Sequence, residues 1–252
     1  MESGVRQLVS ADLNTFATTQ QEDFGTVGQT KDGRVFRYVA FGGTSTIKAG
    51  MLCVGPAAPA NSTGLAITAT TVAASGQVAA NLVAGSKTLV VTNGATSVTA
   101  NQFQYLEIVS SADQTYSLRI AGHTSAGNAG YVVITLADPL PQGITTLIPG
   151  TDTANLVLSQ YNGVAPSLTG NAPVGVTTNV VPNTASVTNY GWVQSGGKAM
   201  VKATTATIGL GVAQDLAGTA GYVIISAATT GNIGWAKASA TGSAASVVLN
   251  IN

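Results

Sequence analysis

The side chains that could do acid–base or nucleophilic chemistry are scarce in this sequence. It contains one histidine, His123, and one cysteine, Cys53. A Ser–His–acid triad would need His123 to meet a distant serine and one of only ten acidic residues. A tetrahedral zinc site needs more nitrogen and sulfur ligands than one histidine and one cysteine supply. We therefore predict no catalytic residue, no metal site and no cofactor, and we expect that the chain is not an enzyme.

The surroundings of these two residues favour structural roles. His123 lies in a turn-like stretch, Gly122 to Ser125, which is typical of a surface residue. Cys53 stands between Leu52 and Val54, so it is expected to be a small buried hydrophobic side chain. A lone cysteine forms no internal disulfide, which fits folding in a reducing cytoplasm.

Glycine-rich segments and carboxylates also fall short of a recognisable binding motif. Gly42-Gly43 is followed by Lys48 but not by the Gly-Lys-Ser/Thr ending of a phosphate loop, and Gly209-Leu210-Gly211 lacks the third glycine of a dinucleotide-binding turn. Both are interpreted as turns between strands. A glycosidase needs two carboxylates at a set distance in space, and the sequence does not give that distance. None of the acids in the predicted turns lies in an aromatic segment typical of a sugar-binding cleft. These acids are Asp113, Asp138, Asp152 and Asp215.

The composition excludes several classes of protein. Ten basic and ten acidic residues cancel in net charge and make up 8% of 252 residues, against roughly 25% in an average domain. No basic surplus is left for nucleic acid or an anionic membrane, and 45% hydrophobic residues are too many for a disordered chain. The longest weakly apolar stretch, 64–85, is broken by polar residues, and the N-terminus lacks the pattern of a secretion signal. We therefore expect neither a nucleic acid nor a membrane as partner.

Short segments rich in β-branched and aromatic residues, separated by Gly, Asn and Pro turns, predict an all-β fold. We expect small β-barrel or sandwich units with an extended N-terminal arm. One helix is predicted, beginning near Ser10 with Leu13 and Phe16 at helical spacing and ending before Gly25. The predicted strands are 34–41, 50–54, 88–92, 105–109, 116–120, 131–136, 145–148, 155–158, 190–194, 198–202, 222–225, 233–237 and 246–251.

The segments with little strand pattern, which lie between the predicted strands, indicate the domain organisation. Residues 1–30 are expected to form the N-terminal arm with its short helix. Residues 31–56 and 186–252 are expected to pair in one β-barrel or sandwich domain, and residues 57–185 to form an inserted or stacked β domain. The segment 163–188, rich in Pro, Gly, Asn and Thr, is the expected internal boundary.

With so few charged residues, electrostatic repulsion between copies of the protein is weak. Edge strands are normally protected by lysine and other charges, and apolar patches by a charged surface. The chain is therefore expected to bury its edges in an oligomer or a lattice, through small neutral side chains whose contacts salt hardly screens. Trp192 and Trp235, each beside a glycine, are candidate core or interface anchors.

Three groups of segments carry a resemblance to a known class of proteins. The groups are Gly25–Gly28 with Asp32–Val39 and Ile47–Leu52; Tyr116–Ile120 with Ile134–Leu140; and Tyr190–Gln194 with Gly196-Gly197, Ile233–Ala236 and Val247–Leu249. In these segments the chain resembles the capsid decoration (cement) proteins of tailed bacteriophages and related virion structural proteins.

That resemblance implies a β-barrel or sandwich protein, made in the host cytoplasm, that sits on the exterior of the virion capsid and clamps neighbouring capsomers. The implied partners are the major capsid protein and further copies of the chain itself, as a homotrimer or in lattice contacts. The segment 1–24 would then lie on the shell or on a neighbouring subunit. The predicted interface residues are Leu8, Leu13, Phe16, Phe24, Trp192 and Trp235.

Three alternative functions remain beside this one. Chains of similar composition occur among phage tail and fibre components, which is the nearest alternative. A secreted β-rich adhesin or glycan-binding module belongs to a different class, and the missing signal and few aromatic residues argue against it. An enzyme that uses His123 or a pair of acids is the least favoured alternative.

Overall fold

A computed structural model of the chain confirms the all-β prediction, since the regular structure of its described residues is nearly all strand. It describes residues 5–43, 45–56, 65–67, 84–94, 97–109, 115–141, 148, 151–166, 171–182, 187–206, 211–214, 219–225, 233–237, 240–241 and 244–251. The chain divides into two compact units. Met1–Ala57 together with Gln160–Asn252 form unit 1, and Ala58–Ser159 form unit 2.

The described elements are nineteen strands and one short helix, which lies between the first two strands. In chain order they are β1 (Arg6–Gln7), α1 (Ser10–Asn14), β2 (Val27–Gln29), β3 (Val35–Phe41), β4 (Leu52–Val54), β5 (Leu65–Ala66), β6 (Thr88–Thr92), β7 (Phe103–Val109), β8 (Thr115–His123), β9 (Tyr131–Leu136), β10 (Thr153–Leu158), β11 (Asn162–Val164), β12 (Pro173–Thr177), β13 (Asn189–Lys202), β14 (Thr205–Ala206), β15 (Gly211–Gln214), β16 (Val223–Ile225), β17 (Gly234–Ala236), β18 (Ala240–Thr241) and β19 (Ala244–Asn250). Strands β5 to β10 belong to unit 2, and the other elements belong to unit 1.

Strand β13 organises the large sheet of unit 1. It pairs antiparallel with β3 from Asn189 to Gly196, and with β19 from Gly196 to Lys202. The sheet runs in the order β1-β2-β3-β13-β19-β17-β15-β16, with β11 beside β3 and with β12 between β13 and β4. The pairing of β3 with β13 confirms the expectation that the first strands return to the last third of the chain.

The two strands predicted at 190–194 and 198–202 are one strand, so that prediction is wrong. Strand β13 continues through Gly196 and Gly197. Its register against β3 shifts between Gln194 and Gly196, and Gly197 has a φ of 80°. A bulge that contains glycine bends a strand without ending it. The buried Gln194 amide fastens the bulge by donating to the carbonyl oxygens of Gly196 (3.0 Å) and Lys198 (2.9 Å).

The N-terminal segment 5–30 lies along the sheet of its own unit. Strand β1 pairs parallel with β2, which in turn pairs antiparallel with β3. The Arg6 guanidinium donates to the carboxylates of Asp12 (3.1 Å) and Glu22, and it stands 5.7 Å from the centre of the Trp192 ring. These contacts hold the segment expected to be an arm against the unit from which it extends.

The end of the predicted inserted domain is corrected from residue 185 to Ser159. Residues beyond Ser159 return to unit 1 because β11 pairs with β3, and β12 pairs with β4 and β13. The Pro- and Gly-rich composition of residues 163–188 is typical of a domain boundary. The short strands in this stretch were not recognised because the strands with which they pair are far away in sequence. The expected boundary at 163–188 therefore includes β12 and the last two residues of β11, both in the large sheet.

Unit 2 is a six-stranded sheet that nearly closes into a barrel. Its strands follow the order β5-β10-β7-β8-β9-β6, and a bridge between Ile67 and Val91 links the two ends. The inward-facing Leu, Ile, Val and Phe side chains form one core cluster. The predicted hairpin of β7 and β8 is confirmed, with Tyr105 opposite Arg119. The strand predicted at 145–148 lies outside the described residues except for Ile148.

Gly234 tests the close packing of β17 against β19. A Cβ atom at this position would collide with the backbone carbonyl oxygen of Val248 and stand 3.0 Å from Val247 Cγ1. The backbone cannot yield as a flexible side chain can, so we expect Gly234→Ala to lower the free energy of unfolding of unit 1 by about 2 kcal/mol. Thermal and urea unfolding followed by circular dichroism measure this loss.

Gly127→Ala is the control for adding a methyl group. A Cβ atom at Gly127 meets nothing within 4 Å. Its unfolding transition should stay within about 0.5 kcal/mol of the wild type, as expected for a surface substitution. Equal unfolding curves for the Gly234→Ala variant and the wild type would contradict the tight β17–β19 contact.

Candidate functional site

Three neighbouring strands of unit 1 carry large side chains on their exposed face. Cross-strand register places Lys198 of β13, Val248 of β19 and Trp235 of β17 side by side. Trp235 is 48% exposed and Met200, two residues after Lys198, is 61% exposed. Exposed tryptophan and methionine are uncommon on ordinary protein surface and enriched in protein interfaces.

A second row of residues extends this surface. Met200 lies opposite Ser246, and the Lys237 N–H donates to the Ser246 carbonyl oxygen (2.6 Å). Lys202 lies opposite Ala244 in the row beyond. We call this surface the lysine–tryptophan face; it consists of Lys198, Met200, Lys202, Trp235 and Lys237, with Ala244, Ser246 and Val248 between them.

The alternation of side chains along the strands produces this face. Successive residues of a strand point to opposite sides of the sheet. The even-numbered residues of β13 from Lys198 to Lys202 therefore turn outward, while Ala199 and Val201 turn into the core. Likewise Trp235 and Lys237 are exposed, and Ala236 between them is 1% exposed. The Trp235 ring therefore lies on the outer side of β17.

Among the described residues, the lysine–tryptophan face carries positive charge with no acid paired to its lysines. Its three lysines lie in a part of the sequence, residues 186–252, that holds a single acid, Asp215. Among the described residues, every ion pair involves an arginine, so none neutralises these lysines. A chain with no net charge thus concentrates three of its cations around its most exposed tryptophan.

A groove of about 730 Å³ borders the β13 side of this face. Arg34, Gly50, Thr177, Lys198 and Lys202 are among its lining residues. Asp32 at the rim accepts hydrogen bonds from the Thr30 hydroxyl, which lowers the pKa of this carboxyl, and from Arg34 Nε (2.8 Å). Asp32 and Arg34 form an ion pair, and the lysines of the groove remain available to an anionic group.

The six residues predicted from sequence to form an interface fall into two sets. Leu8, Leu13 and Trp192 are buried in one internal cluster with Phe36 and Tyr38. Phe16 packs edge-on against Phe41 at 5.6 Å, and Phe24 stacks on Tyr190 at 6.3 Å. The structure commits these five side chains to the packing of unit 1 itself. Only Trp235 presents a large exposed surface.

The lysines and Met200 that surround Trp235 were not singled out from the sequence. The usable signal was the alternation Lys-Ala-Met-Val-Lys at 198–202 and Trp-Ala-Lys at 235–237. Alternation shows that the large residues share one side of each strand. The neighbour relation between β13, β19 and β17, which joins the two patterns, required the tertiary structure.

The expectation that His123 is a surface residue is wrong. His123 is 7% exposed at the end of β8, where its Nε2 accepts a hydrogen bond from the Phe103 N–H (2.9 Å). Its Nδ1 therefore carries the proton and donates to the Thr124 carbonyl oxygen (2.9 Å). Burial lowers the pKa of His123, so the ring is held neutral. The turn-like sequence failed here because β8 continues through Gly122 to His123.

The prediction that Cys53 is buried is confirmed, and the described carboxylates do not cluster. Burial raises the pKa of the Cys53 thiol to about 12, which keeps it protonated and unreactive. The buried Asp152 accepts a hydrogen bond from the Ile148 N–H (2.6 Å), while Asp138 is exposed. Asp113 and Asp215 lie outside the described residues. Within the described part of the chain, no group of three or more His, Cys, Asp or Glu residues could hold a metal ion.

Comparisons with protein-family models, curated proteins and solved structures find no match to this chain. In the described residues, no helix is long and apolar enough to span a membrane. The geometry of the lysine–tryptophan face is therefore the principal guide to function.

The buried histidine predicts a loss of stability in mild acid. The unfolded chain takes up a proton at His123 as the pH falls through its ordinary pKa of 6.5, while the folded chain, with a lowered pKa, does not. The stabilisation is therefore complete above pH 6.5 and declines as the pH falls toward the folded-state pKa. We expect the free energy of unfolding to drop by at most about 1.4 kcal/mol per pH unit in this range.

Urea unfolding between about pH 8 and pH 5 measures this dependence, since few other side chains titrate in that window. His123→Gln retains an acceptor for the Phe103 N–H and cannot take up the proton. Its stability should be nearly independent of pH there. An equal pH dependence in both proteins would show that another group is responsible.

The positive field around Trp235 predicts selective fluorescence quenching. Iodide ions should concentrate near the three lysines and quench Trp235, whereas caesium ions should be repelled. The emission of Trp235 is the difference between the wild type and Trp235→Phe, since the other tryptophan, Trp192, is 6% exposed. Changing all three lysines to Gln should lower the quenching of Trp235 by iodide and raise its quenching by caesium. Quenching by both ions that stays the same after these changes would contradict the field.

Proposed function

We propose that this chain is a structural protein of a virus particle, a capsid decoration protein that binds the outer surface of the shell and stabilises contacts between capsomers. The observation that carries the proposal is the exposure of Trp235 and Met200 on one hydrogen-bonded sheet face. A paired sheet fixes the backbone that carries these side chains before a partner arrives, so binding has only the side chains to order.

The fate of the reactive side chains supports a structural role. His123 uses both ring nitrogens in hydrogen bonds within unit 2, and the Cys53 thiol is buried and protonated in unit 1. Both serve the packing of the chain. The large exposed residues, in contrast, have no evident role in folding and suit contact with another macromolecule.

The segments that resemble decoration proteins also support the proposal through their positions. The third group of these segments, Tyr190–Gln194 with Ile233–Ala236 and Val247–Leu249, falls on β13, β17 and β19. These are the strands that build the lysine–tryptophan face. Resemblance and exposure thus converge on the same part of unit 1.

Weak contacts repeated over many sites suit this function. Each copy would add a modest interface, and a shell that offers many equivalent sites would be stabilised by their sum. Further copies of the chain are the second proposed partner, since neutral, charge-poor strands leave edges that neighbouring copies can cover. On this proposal the virion exterior is the location of the mature protein.

Binding to purified shells tests the proposal. Empty shells of the phage that encodes the chain, freed of accessory proteins, are mixed with the purified protein and sedimented. We expect a fixed number of copies per shell and a rise of a few degrees in the temperature at which the shells fall apart. A shell from an unrelated phage serves as the control.

Protein that stays in the supernatant would contradict the decoration role. Immunogold labelling of intact virions then separates the remaining structural roles. Label on the tail or fibres instead of the head would favour the tail component considered above, and absence of label from the whole particle would refute a virion protein.

A further inference from the structure

We infer that the lysine–tryptophan face docks on an acidic protein surface that receives Trp235 between carboxylate groups. The inference rests on the proposed function in one respect, because the shell is the protein expected to present that surface. It goes further by naming the docking face and the chemistry of the partner. Lys198, Lys202 and Lys237 supply the charge, and Trp235 and Met200 supply the apolar contact.

Charge complementarity identifies the sign of the partner. The three lysines of the face have no ion-pair partner among the described residues, and the nearby acid, Asp32, is paired with Arg34. Such a cluster repels a basic surface and attracts an acidic one over about one Debye length. A neutral partner would leave three cations near the interface without compensation.

The strand geometry gives the spacing that the partner must match. Lys202 lies four positions after Lys198 on β13, a distance of about 13 Å between their backbones. Lys237 lies two strands away from β13, at about 10 Å. Carboxylates at these separations would frame an apolar recess for Trp235, whose ring is the largest exposed side chain of the face.

Protein fits the face better than nucleic acid does. Proteins that bind nucleic acid neutralise many phosphates, commonly six to ten by about as many basic side chains. The lysine–tryptophan face offers three, with Met200, Val248 and Ala244 among them, on a chain of zero net charge. Tryptophan and methionine are enriched at the centre of protein interfaces, and the lysines lie around these two residues.

The first experiment uses polyglutamate as the acidic probe. It is added to the wild type and to Trp235→Phe at low salt, and the difference in emission reports on Trp235. We expect a shift of the Trp235 emission to shorter wavelength as the ring leaves water. The shift should vanish at about 0.5 M salt, because the lysines are then screened. Unchanged Trp235 emission at every concentration of polyglutamate would overturn the inference, whatever the outcome with shells.

The second experiment compares variants in the shell-binding assay. Trp235→Ala, and the triple change of Lys198, Lys202 and Lys237 to Glu, should each weaken binding by roughly tenfold or more. The matched controls are Tyr131→Ala and Lys87→Glu, which alter exposed residues of unit 2. These controls should bind like the wild type. Near-ultraviolet circular dichroism of each variant verifies the fold.

The outcomes separate the inference from the proposed function. If the wild type does not bind shells while polyglutamate shifts Trp235, the decoration role fails and the acidic partner is another protein. If the wild type and the face variants bind shells equally, the decoration role stands and the docking face is wrong. Tighter binding of a single-stranded oligonucleotide than of polyglutamate, lost in the lysine variant, would make the partner a nucleic acid and overturn the inference.

Discussion

The hydrogen bonding of one strand, β13, is the constraint on which the structure of unit 1 depends. Its fourteen residues pair with β3 over one half and with β19 over the other, and Val193 and Gln194 also pair with β12. Each buried peptide group must find a partner, so three distant parts of the chain are brought to this strand. The bulge at Gly196-Gly197, held by the Gln194 amide, lets one strand serve both halves.

The same strand explains why the lysine–tryptophan face exists. Beyond the bulge, strict alternation turns Lys198, Met200 and Lys202 outward while alanine and valine fill the core. Pairing with β19, and of β19 with β17, then adds Trp235. A charge-poor chain can concentrate its few cations in this way without changing its net charge. Composition alone suggested contacts that salt hardly affects, whereas the face favours a local, salt-sensitive contact.

Small residues allow close packing in unit 1. Gly175 packs against Val193, and Gly28 packs against Leu8. The larger aromatic residues near the N-terminus, including Phe16 and Phe24, are used to cover the sheet of unit 1. The sequence shows that Phe16 and Phe24 are apolar. Whether they contact a partner or their own chain depends on where residues 5–30 run along the sheet.

The sequence by itself determined the fold class, most strand positions and the burial of Cys53, because β-branched runs, turn residues and local hydrophobicity act over a few neighbouring positions. It did not determine the fate of His123, the continuity of β13 or the membership of residues 160–182 in unit 1. Each of these depends on which distant strand supplies the hydrogen bonds, as when β8 carries His123 to the Phe103 N–H. Tertiary structure alone joined Trp235 to Lys198, since 36 intervening residues separate two side chains that only the order of strands makes neighbours.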